Sequence, residues 1–343
     1  MRESGLLSAP LPAALGGRDA PISELARVAR ALGAACSNAA MVFAMHHTQS
    51  LTLRWWGQGP DQIDLVREVA RNESLFASAT TEITTGGDVR RSTCAVETDG
   101  AVVRLEKNAP VISYGAYADY ICTTARRSAD AAPSDQVLVV CPAADTTLEQ
   151  TSQWNTMGFR GTVSPGFILR TATSAANVLP VEYSTVSGHT MLPTSHTLWS
   201  SVWLGMADAA IAKARTVVRN AARKDPGTTP PQAARFADLL VIHQRFEAMV
   251  DHEVRRYEEF LAGGEPEPTV GFTIAMNNLK LNSSKAVVEI VAAALELVGI
   301  NGYREDHPLS MSRLLRDSYG PQLMVSNERI RANNSQLVLA YRG

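Results

Sequence analysis

Hydroxyl groups and small residues are concentrated in residues 79–88, which read ATTEITTGGD. Glycines such as Gly86 and Gly87 let backbone N–H groups come close to the oxygens of a phosphate. A threonine hydroxyl, as at Thr81, can form a hydrogen bond with a heteroatom of a cofactor ring. The segment therefore has the chemistry to contact a phosphorylated cofactor. Taken alone, it is better explained as a polar turn between two strands.

Two other side chains have the chemistry of a base. His196 follows residues 193–195 (PTS) at the start of a predicted helix, and a neutral imidazole can accept a proton. Glu328 lies near the end of the chain, and a desolvated carboxylate can also be basic. Each has an ordinary alternative. His196 is then a helix-start residue with a structural hydrogen bond, and Glu328 is a solvated group or the partner of Arg329 or Arg331.

Composition and charge limit the classes of function. The chain has 343 residues, of which 45% are hydrophobic and 19% charged, and its net charge is −2. This is the profile of a globular protein with a large core. Nucleic-acid binding would require a basic stripe, which the sequence lacks. No run of ~18 apolar residues predicts a membrane span, and no continuous apolar stretch at the start predicts a signal peptide.

The cysteines give a second constraint. The chain has four of them, and their spacing forms neither a CxxC pair nor a metal-ligand pattern. We therefore expect buried free thiols, no metal site and a reducing, cytoplasmic location. The four residues are Cys36, Cys94, Cys122 and Cys141.

The elements that position these groups fall into three regions. Residues 1–75 have helical periodicity, and residues 76–187 consist of short Thr-, Ser- and Val-rich runs between turn residues. Residues 188–343 return to long helical patterns, of which 282–298 is the clearest. The predicted fold class is α+β. It has an N-terminal helical domain, a middle antiparallel β-sandwich or barrel, and a C-terminal four-helix bundle.

This order of elements, together with several local motifs, resembles the acyl-CoA dehydrogenase family of flavoproteins over nearly the whole chain. Relative to the family, the resemblance implies a shortened start. Residues 79–88 are similar to the TEPGAGSD loop, which runs along the flavin ring and its diphosphate. Residues 111–119 (VISYGAYAD) are similar to the FITNAGxAD strand. The resemblance thus implies flavin contacts at Thr81, Gly86, Gly87, Ile112 and Ser113, with the Ser113 hydroxyl at the N5 edge.

Two motifs of the last half also match. Residues 157–162 (MGFRGT) resemble the MGLRGS turn beside the thioester-binding face. Residues 294–303 (ALELVGINGY) resemble ALQxxGGxGY, so Gly299 is expected near the flavin diphosphate of a neighbouring subunit. Glu296 replaces the family's Gln, and a carboxylate beside phosphates is unfavourable unless it turns away or is paired. Arg223 and Arg235 are candidates for the arginine of the family's RxxFG motif, although ordinary solvated arginines explain both positions better.

The usual catalytic base is missing. In the family, a Glu nine residues after the Arg of an RD pair removes the α-proton of an acyl thioester. Counting from Arg316, that position holds Val325, which cannot take a proton. His196 and Glu328 are the candidates for a relocated base.

Three functions therefore stay open. We rank first an FAD-dependent oxidoreductase that dehydrogenates the Cα–Cβ bond of an acyl thioester, carried by CoA or by a carrier protein. The second is a two-component flavin monooxygenase of the same fold, with Ser113, His196 and Asn327 near the flavin C4a edge. The third is a non-catalytic relative. For the enzymes, the resemblance implies an electron-transfer flavoprotein or a flavin reductase as redox partner, and a homodimer or homotetramer.

Overall fold

The computed structural model describes residues 1–86, 88–264 and 267–342. Within it the chain forms two compact units, each built from three stretches of sequence. The β unit consists of Met1–Pro21, Val42–Asn155 and Thr162–Ser195. The helical unit consists of Ile22–Met41, Thr156–Gly161 and His196–Gly343.

The strands of the β unit form two sheets. One sheet has the order β1-β4-β5, and the other has the order β2-β3-β7-β6. β1 pairs with β4 in parallel, whereas the other strand pairs are antiparallel. The bounds are β1 Phe76–Ala79, β2 Glu97–Asp99, β3 Val102–Ala109, β4 Tyr120–Arg126, β5 Gln136–Pro142, β6 Thr146–Gln150 and β7 Phe167–Ser174.

Side-chain alternation explains how the sheets build a core. Along β3, exposed and buried residues alternate without interruption, because successive side chains of a strand point to opposite faces. The buried set includes Val103 and Leu105, which pack with Val137, Val139 and other apolar residues. The same alternation places Lys107 on the buried face, so this core contains a charged group that needs a partner.

The helices of the β unit cover a second apolar cluster. Helix α2 spans Ser37–Trp56 and α3 spans Pro60–Asn72, with Pro60 at the first helical position, where its missing N–H is harmless. Val66, Val69 and Ala70 of α3 pack with the aromatic ring of Phe76. A short helix, α4 (Tyr183–Val186), and a π-helical turn (Ser187–Met191) lead into α5, which spans Leu192–Lys224.

The helical unit is organised around one long buried helix, α7. Thr269 caps its start by accepting a hydrogen bond from the Phe272 N–H, and Gly299 ends it with a φ of +71°. The helices α6, α8, α9, α10 and α11 pack against α7. The bounds are α1 Ile22–Ala35, α6 Ala233–Gly263, α7 Val270–Val298, α8 Ile300–Tyr303, α9 Ser312–Ser318, α10 Gly320–Leu323 and α11 Asn327–Leu337.

Two glycines allow α1 and α5 to cross at close range. A Cβ at Gly33 would collide with the carbonyl of Val202, and a Cβ at Gly205 would collide with the carbonyl of Arg30. Only hydrogen atoms fit between the two backbones, so larger residues at these positions would separate the helices.

The predicted α+β class is confirmed, with helices before and after a largely antiparallel β region. The parallel pairing of β1 with β4 was not predicted. This pairing joins segments more than 40 residues apart, and local periodicity contains no information about which distant strands pair. In the described part of the chain, every helix is too short or too polar to cross a bilayer. The four cysteines are free thiols, and three of them are buried.

Candidate functional site

A chain of hydroxyl groups reaches the surface of the β unit just after β3. The Ser164 Oγ donates to the Ser113 Oγ at 2.9 Å, and it also lies 2.9 Å from the Thr162 Oγ1. Ser164 and Thr162 are buried, whereas Ser113 is half-buried. Hydroxyl groups both donate and accept, so the three together can pass a proton between the interior and the surface at Ser113.

The backbone on both sides of this hydroxyl chain is strained. Tyr114 has a φ of +43° and Val163 a φ of +40°, a region that side-chain-bearing residues rarely adopt and that is least favourable for a β-branched residue. The Tyr114 N–H donates to the carbonyls of Thr162 at 2.9 Å and Val163 at 3.0 Å, so the two turns hold each other. Strain of this kind is typical of functional sites.

A buried ion pair anchors the loop at residues 81–86. The Lys107 Nζ donates to the Glu82 Oε1 at 2.9 Å, to the Thr124 carbonyl at 2.6 Å and to the Thr124 Oγ1 at 2.9 Å. All three ammonium donors are therefore satisfied. Glu82 also accepts from the Ser92 hydroxyl, from the Thr93 N–H at 2.8 Å and from the Thr93 Oγ1 at 2.6 Å. The loop is thus fixed to the core at its second residue.

The network is expected to make the fold sensitive to acid. Burial alone would raise the pKa of Glu82, but Lys107 and the hydroxyl donors outweigh it and lower that pKa from 4.5 to about 2. Burial lowers the pKa of Lys107 as well, and Glu82 opposes that change. The low pKa of Glu82 determines the pH dependence of this ion pair, because several donors converge on its carboxylate.

A carboxylate with a depressed pKa stabilises the fold above its unfolded pKa and loses that contribution as the pH falls. The free energy of unfolding should therefore decrease by roughly 3 kcal/mol more in the wild type than in Glu82→Gln between about pH 4.5 and pH 2. Urea titrations at several pH values measure this difference. Equal pH slopes in the two proteins would contradict the ion-pair account.

The predicted loop contacts differ in accessibility. Thr81 is half-buried, and Gly86 is exposed with a φ of +58°. Gly87 lies outside the described residues. Ile112 is fully buried, its N–H donates to the Pro165 carbonyl at 3.0 Å, and its carbonyl accepts from the Gly115 N–H at 3.3 Å. These assignments stay predictions.

The described part of the β unit presents apolar and polar groups of the kinds that a flavin contacts. A ring that is flat and largely apolar needs exposed apolar contacts beside a polar edge. Val111 and Val163 are exposed apolar side chains of the two turns around Ser113, and Ile83 is an exposed apolar side chain of the loop at residues 81–86. Ile83 is joined to the end of β3 by its N–H, which donates to the Asn108 carbonyl. A phosphate needs cations and hydroxyls. A polar cavity of about 240 Å³ beside the loop is lined by Thr84, Thr85, Arg91 and Thr93, and also by Asp88, whose carboxylate forms an ion pair with Arg90.

In the helical unit, Val325 occupies a strained turn between α10 and α11. Its φ is +46°, and 39% of its surface is exposed. The Lys280 Nζ of α7 donates to the Val325 carbonyl at 2.7 Å and to the Asn327 Oδ1 at 2.8 Å. The Asn327 Nδ2 donates to the Ser284 Oγ at 3.1 Å. A buried lysine therefore lies beneath the position where the resemblance expected a carboxylate.

His196 lies inside the helical unit. It is buried, its Nδ1 lies 3.1 Å from the Met276 carbonyl, and no hydrogen-bond partner of Nε2 is found among the described residues. Burial lowers the pKa of His196 to about 3, and the positive charge of Lys280 contributes. The imidazole is thus neutral at physiological pH and only weakly basic.

Glu328 has the ordinary environment of a surface carboxylate. Its side chain is exposed and forms an ion pair with Arg331, one helical turn further along α11. Exposed pairs of this kind contribute ~0.2–1 kcal/mol, and a solvated carboxylate is not made basic by its surroundings. The geometry gives Glu328 no feature of a desolvated base.

Gly299 and Glu296 lie at the end of α7. A Cβ on Gly299 would meet open space, so its positive φ, and not close packing, explains the glycine. Glu296 forms an ion pair with Arg235 of α6. The carboxylate that replaces the family's Gln is therefore paired, and one of the two arginines that were candidates for phosphate binding is its partner.

The structural role of Asp317 was not identified from the sequence. Asp317 is buried, and its carboxylate accepts from the Phe159 N–H at 2.6 Å and from the Ser37 hydroxyl. Gly158 packs so closely on the Arg316 carbonyl that a Cβ would collide with it. The RD pair thus has a structural task, which is to hold residues 157–161 of the MGFRGT turn against α9.

The chain has relatives of known structure and one family match. Residues 191–324 match the family described as Acyl-CoA dehydrogenase, C-terminal domain. The FMN-bound structure of TdsC from Paenibacillus sp. A11-2 superposes with a TM-score of 0.83 at 16% identity, over 99% of this chain and 89% of that chain. TdsC is a dibenzothiophene monooxygenase.

Two further structures are similar to the same extent. Methanesulfinate monooxygenase MsuC from Pseudomonas fluorescens has a TM-score of 0.82 at 17% identity, over 99% of this chain and 88% of that chain. Nitrososynthase from Micromonospora carbonacea var. africana has a TM-score of 0.80 at 20% identity, with the same coverage. At these identities the likeness shows the fold alone. No curated protein matches the chain.

Proposed function

We propose, from the acyl-CoA dehydrogenase fold of this chain and the match of residues 191–324 to that family's C-terminal domain, that it is a flavin-dependent oxidoreductase acting as a monooxygenase. Its substrate class would be a small molecule with an oxidisable heteroatom or aromatic ring. One oxygen atom of O₂ would enter the substrate, and the other would leave as water. The electrons would come from a flavin reduced by a separate reductase.

One observation carries this choice over dehydrogenation. Removing an α-proton requires a basic group at the substrate, and the position that the resemblance assigns to it holds the apolar side chain of Val325. The nearest following carboxylate, Glu328, is exposed and paired with Arg331. The group beneath the turn is Lys280, a donor to the Val325 carbonyl and not a carboxylate. Residues 325–331 thus offer no desolvated carboxylate.

The side chains of the β unit supply what a monooxygenase needs from its protein. When bound and reduced, a flavin supplies the electrons that activate oxygen. Ser113 would hold a hydrogen bond at the cofactor edge, and Ser164 and Thr162 behind it would supply or receive a proton. Val111, two residues before Ser113, and Ile83 of the loop would keep water away from the reacting atoms, because both are exposed apolar side chains.

The relatives support the same reaction class. TdsC was crystallised with FMN and indole, and MsuC is a methanesulfinate monooxygenase. For the cofactor, the resemblance implies FAD, whereas the similar structure of TdsC was determined with FMN bound. We therefore propose a flavin, with FMN ahead of FAD.

A dehydrogenase of acyl thioesters is the second candidate, and His196 is the observation in its favour. The His196 Nε2 has no partner among the described residues, and its imidazole is neutral, so it has a nitrogen free to act. Against this assignment, a group with a pKa of about 3 is a poor base at neutral pH. The side chain is also buried.

One set of spectra separates the candidates. The purified chain is titrated with FMN and with FAD, and bound flavin is read from its visible absorbance. Under anaerobic conditions, butyryl-CoA is added to the oxidised complex; bleaching would support the dehydrogenase and contradict our proposal. Reduced FMN is then supplied by a reductase, and oxygen uptake and products are measured with dibenzothiophene, indole and methanesulfinate. Absence of flavin binding in both titrations would refute both enzymes.

Replacing Ser113 tests the hydroxyl chain. Ser113→Val replaces the hydroxyl that Ser164 contacts with two methyl groups, so turnover with the substrate found above should fall on the order of 100-fold, the scale of a lost proton transfer. The Kd for flavin should stay within about threefold, because the apolar contacts are retained. Ser134→Val, in an exposed loop, is the matched control. Unchanged turnover would remove Ser113 from the site.

A further inference from the structure

Lys280 is a fully buried lysine with an unusual set of partners. Its Nζ donates to the Val325 carbonyl and the Asn327 Oδ1, and no carboxylate of the described residues forms an ion pair with it. An ammonium group carries three N–H donors, and a neutral amine carries two. The two acceptors around Lys280 therefore match a neutral amine. Lys107, with three acceptors including a carboxylate, shows how this chain accommodates a charged lysine instead.

The surroundings of Lys280 also favour the neutral form. Burial lowers its pKa from 10.5 to about 7. Among the described residues, His196 of α5 is a titratable side chain that interacts with Lys280, and that imidazole is neutral at this pH. Within the described ranges, no charged group of α6, α8, α9, α10 or α11 pairs with Lys280. A proton added near neutral pH thus places an uncompensated charge in the interior, which is unfavourable.

Lys280 determines which part of Val325 faces outward. The carbonyl of Val325 is bound inward by the amine, and 39% of the residue is exposed. Val325 is thereby kept in a left-handed conformation, which is unfavourable for a β-branched residue. The next carbonyl, that of Ser326, accepts from the N–H groups of Arg329 and Ile330 and so begins α11.

We propose that Lys280 is a positioning residue of the site: as a neutral amine it holds the Val325 turn closed, and in its protonated form it holds the turn less tightly. The inference rests on the proposed function only in treating Val325 as a residue that faces the substrate. Lys280 holds the backbone of this turn in place. It does not act on the substrate, as a catalytic carboxylate would.

The direction of the pH effect follows from linkage. Opening the turn exposes Lys280 to water, where its ordinary pKa of 10.5 returns, so the open form binds the proton more tightly than the closed form. Below about pH 7 both forms are protonated and the equilibrium is constant. Above about pH 7 the closed form loses its proton first, so the closed-to-open ratio rises by up to tenfold per pH unit.

Hydrogen exchange of the Arg329 and Ile330 amides tests the proposal, because both donate to the Ser326 carbonyl of the turn. Protection factors, corrected for intrinsic exchange, are measured from pH 6 to pH 9 by NMR on the full chain. In the wild type they should be flat to about pH 7 and then rise up to tenfold per unit. In Lys280→Met they should be lower and independent of pH. Lys285→Met, exposed on the same helix, should behave as the wild type.

A second variant covers the case in which Lys280→Met does not fold. Asn327→Asp keeps an oxygen acceptor beside the Nζ but adds a carboxylate, which stabilises the ammonium and should move the rise in protection to higher pH by at least one unit. A wild-type profile without a rise above pH 7, or an unshifted profile in Asn327→Asp, would overturn the proposal. Exchange is measured without flavin. The result therefore stands even if the chain binds no flavin and the proposed function fails.

Discussion

Lys107→Met is expected to destabilise the β unit by roughly 3–5 kcal/mol, the scale observed when one partner of a buried ion pair is removed. The physical reason is the Glu82 carboxylate, which stays in the core without its ammonium. The Thr124 carbonyl loses a donor as well. Guanidinium unfolding followed by circular dichroism, together with amide exchange of β3 and β4, measures the loss.

Two variants control this experiment. Arg104→Met changes an exposed residue of the same strand, whose ion pair with Asp99 is solvated, and it should cost less than about 1 kcal/mol. The double variant Lys107→Met with Glu82→Gln removes both charges and keeps an acceptor for Thr93, so it should recover about half of the loss. If Lys107→Met were no more destabilising than Arg104→Met, the ion pair would not anchor the loop.

The second large effect is expected at Asp317. Asp317→Ala leaves the buried Phe159 N–H without its acceptor and removes the partner of the Ser37 hydroxyl, so we expect a loss of roughly 3 kcal/mol in the helical unit. The segment at residues 156–161 should detach from α9. Arg160 is exposed in this segment, and tryptic cleavage after it should become at least tenfold faster.

The controls for Asp317 separate charge from hydrogen bonding. Asp317→Asn retains an oxygen that can accept from the Phe159 N–H, so it should cost less than Asp317→Ala. Asp238→Ala removes an exposed carboxylate of α6 and should leave both stability and cleavage unchanged. Wild-type cleavage rates in Asp317→Ala would show that Asp317 does not hold the turn.

These two residues illustrate what the sequence could and could not predict. The alternation along β3 was readable, and by itself it places Lys107 on the buried face. The partner of Lys107 was not readable, because Glu82 lies 25 residues away and is brought close by the folding of the loop onto β3. For Asp317, the RD motif was recognised, but its contact with Phe159 joins segments 158 residues apart.

The candidate bases show the same division. The residue types at His196, Val325 and Glu328 were known, and they raised the question of a missing carboxylate. Their environments came from the packing of α5, α7 and α11, which buries His196 and leaves Glu328 in solvent. Lys280 was not singled out in the sequence, since a lysine within a helical pattern is most often a solvated residue.

The sequence by itself determined the order of helices and strands, the positions of most long elements and the absence of a carboxylate at position 325. These properties depend on local periodicity and residue type, which a linear chain displays directly. Only the tertiary structure decided which charges are paired, which base is buried and which lysine holds the Val325 turn. The reason is that burial and pairing depend on which distant segments pack together, and a single residue's protonation follows from that packing.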